Sequence, residues 1–166
     1  MKIDIRELGI DDLSIVYHLG EELFTSEDAP FLYRTWDEFE VTEYFTTDPE
    51  FCLVVEIDDE IVGFIFGTIM EKPGTAWKYG YVAWIGIKKS HQGTHIGRRL
   101  YEELEKRMME EGVRMMIADT EGSNKTALEF FRKSGFAKTK THIWMAKVLH
   151  KKTLKNKGVK KVDSDR

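Results

Sequence analysis

Residues 84–104 read WIGIKKSHQGTHIGRRLYEEL, a strand, a tight turn and a helix in succession. The strand is the end of an apolar run over residues 81–87. The turn, residues 88–94, is polar and holds Gly93. From near His95 to about Glu111, Ile96, Leu100, Leu104 and Met108 recur at helical spacing, with Tyr101 beside them. The opposite face carries Arg98, Arg99, Glu102, Glu103, Lys106 and Arg107. Glu102 with Lys106 and Glu103 with Arg107 have the spacing of favourable ion pairs. Gly112 stands where a helix of this length would stop.

A helix start leaves several backbone N–H groups without partners and carries partial positive charge. A glycine in the preceding turn lets a ligand approach the backbone. Together they make an anion cradle, commonly for phosphate. Arg98 and Arg99 lie in the first helical turn, where the dipole disfavours cations unless an anion is near. The spacing alone fits an ordinary strand-turn-helix equally well.

On the N-terminal side, residues 2–7 alternate as a half-buried strand. Leu13, Val16, Tyr17, Leu23 and Phe24 recur at helical spacing, and TSEDAP at residues 25–30 breaks the pattern. Thr35 with Glu38 has the form of a capping box, opening a second helix to about Phe45. Two apolar runs, residues 51–57 and 61–70, flank Asp58-Asp59-Glu60 and read as a hairpin. Gly63 and Gly67 in the second run suggest a bulge or a close neighbour. Residues 79–87 form the strand that enters the turn. Residues 113–120 read as another strand. Asn124 then opens a helix that Gly135 closes, and strands are expected at 136–138 and 142–149. The expected order is β-α-α-β-β-β-α-β-α-β-β. That is a mixed α/β (α+β) sandwich of about seven strands and four helices in one domain.

The chain has 166 residues, 42% hydrophobic and 33% charged, as befits a domain with a real core. No run reaches membrane-spanning length and MKIDIREL does not resemble a signal peptide, so a cytoplasmic protein is expected. The single Cys52 forms no intrachain disulfide and reads as a buried thiol; no zinc-ligand spacing is present, so no metal is expected. Residues 147–166 carry +6, leaving −10 on the remainder of a chain of net charge −4. An acidic body suits a cationic acceptor and argues against nucleic acid. Residues 150–166 read as a basic, solvated tail after a domain at 1–149. A nucleic-acid role for that tail would show as steep salt dependence.

Gln92-Gly93-Thr94-His95-Ile96-Gly97 resembles the acyl-CoA pyrophosphate loop of the GNAT superfamily of N-acetyltransferases, usually written [QR]-x-x-G-x-[GA]. His95 stands where the pattern has its first glycine. Asn124-x-x-Ala127-x-x-Phe130-Phe131-x-x-x-Gly135-Phe136 resembles the later signature N-x-x-A-x-x-[FL]-Y-x-x-x-G-F. The resemblance covers residues 2–149. It implies the GNAT fold, with two central strands splayed apart, and acetyl-CoA as co-substrate. The pantetheine arm would pair with Ile85, Gly86 and Ile87, and Gln92, Gly93, Thr94, His95, Ile96, Gly97 and Arg98 would hold the diphosphate. Asn124 would bond the arm or cap its helix, and Phe131 would stand beside the cofactor in place of the usual acid, a tyrosine. Tyr101 and Ser134 are the possible substitutes for that acid.

The implied reaction is direct attack of a primary amine on the thioester in a ternary complex. For the base, Tyr81, Asp119 and Glu121 are candidates, with Glu121 and Tyr81 preferred; each also reads as an ordinary sheet or strand-end residue. The acceptor, a small cationic amine or a protein amino group, is expected against the first two helices and their joining loop. Glu27, Asp28 and Trp36 are the proposed contacts there, and Phe31 and Tyr33 add aromatic surface. A catalytically silent CoA-binding or regulatory module is the alternative, kept open by His95 and Phe131. The late strands would also allow a homodimer.

Overall fold

In the computed structural model, residues 2–24, 35–143, 145 and 147 are described. Five strands form one sheet in the order β1-β2-β3-β4-β5. They are β1 (Ile3–Glu7), β2 (Cys52–Ile57), β3 (Glu60–Glu71), β4 (Lys78–Ile87) and β5 (Met115–Ala118). The first four are antiparallel neighbours, and β5 lies parallel to β4. The β2–β3 hairpin closes on Asp58 and Asp59, both at positive φ (49° and 69°). That is the pattern of a type I′ turn, which aspartate tolerates and whose twist matches the strands.

Four helices cover the two faces: α1 (Leu13–Phe24), α2 (Glu38–Thr47), α3 (Ile96–Glu110) and α4 (Lys125–Lys133). Val16 and Leu19 of α1 and Val41 of α2 pack with Cys52, Val54, Phe64, Phe66 and Ala83. On the other face the stripe Ile96, Leu100, Tyr101, Leu104 and Met108 of α3 packs on Leu53, Val55, Val62, Ile65 and Val82. Every residue of that stripe is buried, as its 3.6-residue period requires.

Two features of β4 position the site. Phe66 pairs with Trp84 but Gly67 with Val82, so Ala83 is an extra residue in the ladder, a β-bulge. The bulge turns Ala83 and Trp84 both toward α1 and α2, while Val82 and Ile85 face the α3 core. Secondly, the β4–β5 ladder covers only Tyr79–Val82 against Met115–Ala118. Past Val82, β4 continues to Ile87 with β3 as its ladder partner. β4 and β5 therefore part at Val82 and Ala118.

Several expectations are corrected. The sheet has five strands among the described residues, not about seven. Residues 136–138 form no strand because Phe136 closes α4 instead. Its N–H donates to the Phe131 carbonyl at 3.0 Å and that of Gly135 to Arg132 at 3.1 Å, a Schellman motif with Gly135 at φ 96°. Residues 142 and 143 are not in a strand, and most of the expected strand 142–149, with the tail, lies outside the described residues. The strand expected over 113–120 shortens to Met115–Ala118, since Val113 is used in the same way to close α3 on Met108 at 3.0 Å. The N-cap of α2 is Asp37, whose carboxylate accepts from Glu40 N at 2.9 Å, rather than Thr35. Glu103 pairs with Arg107 as expected, but Glu102 turns back to Arg98, and Lys106 meets Glu103 instead.

Candidate functional site

The turn after β4 is built by a relay of local hydrogen bonds. Residues Lys89–His91 make one 3₁₀ turn. The Gln92 side chain donates back to the Ile87 carbonyl at 2.9 Å, and the Thr94 hydroxyl donates to the His91 carbonyl. Gly93 (φ 76°) and His95 (φ 65°, ψ 1°) are both left-handed. His95 thus takes a backbone form that glycine adopts freely, although it carries a side chain. The chain enters α3 at Ile96, and the first helical bond runs from Arg99 N to His95 O at 3.1 Å. The N–H groups of Ile96, Gly97 and Arg98 precede that bond and have no helical carbonyl to meet. His95 offers them no side-chain cap. At Gly97 a Cβ would lie 3.3 Å from Ile87 Cγ1, so backbone and strand end are already close. Arg98 is exposed and paired with Glu102 at 2.8 Å; Arg99 is exposed beside it. Donors without helical partners, the helix dipole and two arginines make this turn fit a diphosphate.

Ile85, Gly86 and Ile87 lie on the stretch of β4 that β5 no longer covers. A strand edge that leaves its ladder and leads to a donor-rich helix start fits an extended arm with a diphosphate tail. The acetyl-CoA expected from the sequence has that shape. Asn124 is the N-cap of α4, its Oδ1 accepting from Ala127 N at 3.0 Å. Phe131 is half-buried, edge-on to Phe130 at 5.3 Å and Phe136 at 5.1 Å. Neither alternative acid is placed for that work. Tyr101 is buried in the α3 core with its hydroxyl on Glu105 at 2.9 Å, and burial pushes its pKa up. The Ser134 hydroxyl is spent on the Phe130 carbonyl at 3.0 Å.

On the α1–α2 face, Tyr81 and Trp84 bracket the bulge, and each donates to a carboxylate. Tyr81 Oη donates to Asp119 Oδ1 at 2.5 Å, and Trp84 Nε1 to Glu40 Oε2 at 2.7 Å. Asp119 directly follows β5. Tyr81 is thus joined to the third candidate base and not to Glu121. Glu121 lies in the turn before α4, with the Ser123 hydroxyl 3.5 Å from its carboxylate. Glu40 and Trp84 were not singled out from sequence, since no local pattern links residues 44 apart. Trp36 is half-buried in the aromatic cluster, 5.1 Å from both Phe64 and Trp84, and its indole N–H donates to the Tyr17 carbonyl at 2.9 Å. Glu27, Asp28, Phe31 and Tyr33 lie outside the described residues. Cys52 is buried, and its thiol pKa is pushed up to about 12 by burial. Among the described residues no group of three His, Cys, Asp or Glu could hold a metal ion, and no helix is long and apolar enough to cross a membrane.

Comparison with known proteins agrees with this architecture. The sequence model of the acetyltransferase (GNAT) family matches residues 16–136. An acetyltransferase of Sodalis glossinidius is 26% identical over 133 residues, 79% of this chain and 84% of the relative. N-alpha-acetyltransferase 30 of Schizosaccharomyces pombe is 29% identical over 101 residues, 60% of this chain and 67% of the relative. Among solved structures, AAC(6')-Iy in complex with a bisubstrate analog, CoA-S-monomethyl-acetylneamine, superposes with a TM-score of 0.71 at 18% identity. The match covers 90% of this chain and 100% of that one.

Proposed function

Since the chain belongs to the acetyltransferase (GNAT) family, we propose that it transfers an acetyl group from acetyl-CoA to a primary amine by direct attack in a ternary complex. The acceptor is a small cationic amine or a protein amino group. The observation that carries this reading is the parting of β4 and β5 at Val82 and Ala118, directly upstream of a helix start with unmet donors. Gln92, Gly93, Thr94, His95, Ile96, Gly97 and Arg98 hold the diphosphate, and the edge of Ile85, Gly86 and Ile87 aligns the arm by strand addition. Asn124 orders the neighbouring turn, and Phe131 closes the groove with an apolar ring. A thiol, with a pKa near 8.5 in the case of cysteine, is acidic enough to leave without a full proton transfer, so a phenylalanine at 131 is compatible with turnover. The amine acceptors in the relatives' names and the acidic body support the acceptor class. A cytoplasmic setting fits the single buried thiol of Cys52.

Isothermal titration tests this, with acetyl-CoA and CoA against the wild type and Gly97→Trp, folding being checked by circular dichroism. Micromolar binding that a folded Gly97→Trp lacks is expected, followed by thiol release with members of an amine panel. Absence of binding to the wild type overturns the proposal. Binding without turnover across the panel favours a silent CoA-binding module instead.

A further inference from the structure

We infer that the groove between α1 and the β2–β3 hairpin is the docking site of this chain's own basic segment, residues 150–161. The groove shares none of the residues assigned to acetyl transfer, and its role stands apart from that reading.

The groove has a volume of about 470 Å³, with Ile15 and Leu19 of α1 and Ile61 of β3 as its apolar side. Leu19 and Ile61 are 8% exposed and belong to the core, but Ile15 is 52% exposed. Ile15 stands one turn before Leu19, so it carries the core-facing side of α1 out into the groove. Around this strip lie Asp12, Glu22, Glu56, Asp59 and Glu60. Three of them are met by cations: Arg6 pairs with Asp12 at 2.6 Å and with Glu56, and Lys88 pairs with Glu60. Glu22 and Asp59 have no ion pair among the described residues. The Lys88 pKa is raised chiefly by its bond to Glu60, and Glu22 adds to this only through space. His18, also in the wall, is matched by Glu21 at 2.9 Å. An exposed apolar strip is thus edged by five carboxylates against Arg6 and Lys88.

Residues 150–161 read HKKTLKNKGVKK: six lysines and no acid, with Leu154 and Val159 between them. A lysine carries a long apolar stem and an ammonium head. Its stem, with Leu154 or Val159, can cover Ile15 while the head reaches the carboxylate rim. A point charge on a flexible stem needs no fixed pairing geometry, which suits a rim of scattered acids.

The segment is long enough to arrive there. Lys147 is the last described residue, and Lys155 to Lys161 stand 8 to 14 positions beyond it. An extended chain spans about 26–48 Å over that count. A domain of about 150 residues has a radius of gyration near 15 Å, so these lysines reach any face of it. Exposed ion pairs are individually weak and are screened by salt, so a separate peptide would dwell in the groove only briefly. A tethered segment acts at an effective concentration on the order of 1 mM, and an affinity of about that size already fills half of the grooves. Acetylation of the lysines would remove their charge and release the segment.

The test uses the full chain at micromolar concentration and a carbodiimide, which joins an amine to a carboxylate without a spacer. Crosslinked peptides are read by mass spectrometry from the monomer fraction. At low salt, lysines 151–161 are expected to couple to Glu22, Asp59 and Glu60 at least about fivefold more than to Glu102 and Glu110, which are exposed carboxylates of α3. At 1 M salt, where screening acts within about 3 Å, the preference should disappear. Glu22→Lys should lower coupling to Glu60 about fivefold. Ile15→Ser leaves every carboxylate in place and should lower it about threefold through the lost apolar contact. Glu110→Lys, an equal change of charge elsewhere, should leave it unchanged. Circular dichroism checks that each variant is folded. Crosslinks spread evenly over the groove and α3 overturn the inference, as does unchanged coupling in either groove variant or an equal loss in Glu110→Lys. Crosslinks found only between chains make the segment of a second copy the occupant and equally overturn it.

Discussion

The side-chain amide of Gln92 donates to the backbone carbonyl of Ile87 at 2.9 Å, so the turn is tied to the last residue of β4 by its own side chain. The bond holds the end of β4 and the turn in one register. It is exposed, so its net worth to folding is small, about 1 kcal/mol or less. Gln92→Ala should therefore leave the melting temperature near that of the wild type. It should weaken acetyl-CoA about three- to tenfold in a calorimetric titration.

His95 occupies a left-handed conformation (φ 65°) at the N-cap of α3. That conformation costs an ordinary L-residue about 1–2 kcal/mol, whereas glycine adopts it freely but loses about 0.5–1 kcal/mol more chain entropy on folding. His95→Gly should accordingly raise stability by about 0.5–1 kcal/mol. His95→Val, β-branched, should lower it by more than 1 kcal/mol. Urea unfolding midpoints measure both.

Gly20 of α1 lies flat against the Trp36 indole. A Cβ there would stand 2.0 Å from Trp36 Cε2. Since Trp36 is wedged among Phe24, Phe64 and Trp84, it has little room to retreat. Gly20→Ala should cost about 1–3 kcal/mol, the usual cost of overpacking. The tryptophan emission maximum should shift to the red as the ring is displaced toward solvent. Unchanged stability and emission would contradict the packing.

Cys52 is the only cysteine, buried, with its pKa raised from 9.0 to about 12 by burial. The folded state prefers the neutral thiol, so this group's contribution is intact below about pH 9 and is lost progressively as pH rises toward 12. Alkylation by iodoacetamide at pH 8 should be slow in the native protein and fast in urea, with one site modified. Replacing Cys52 with alanine should flatten the fall in stability between pH 9 and 12.

Much of the architecture follows from patterns a few residues long. The stripe Ile96, Leu100, Leu104, Met108 and the glycines 112 and 135 mark where α3 and α4 run and stop. Helical periodicity and Schellman closure depend only on neighbours within about six positions. The Asp58-Asp59 turn and the glycine-containing loop before α3 are equally local. Other choices depended on competition within the fold. Asp37 displaced Thr35 as the α2 cap, and Phe136 went to the end of α4 instead of a strand. The point where β4 leaves β5, the bulge at Ala83, and the pairs Tyr81–Asp119 and Trp84–Glu40 arose only in three dimensions. Those pairs join residues 38 and 44 positions apart. Register sets which face each side chain takes, and one extra residue in a ladder reverses it. Local sequence thus determined the turn at the start of α3, and tertiary packing decided which phenol and which carboxylate meet where β4 and β5 part.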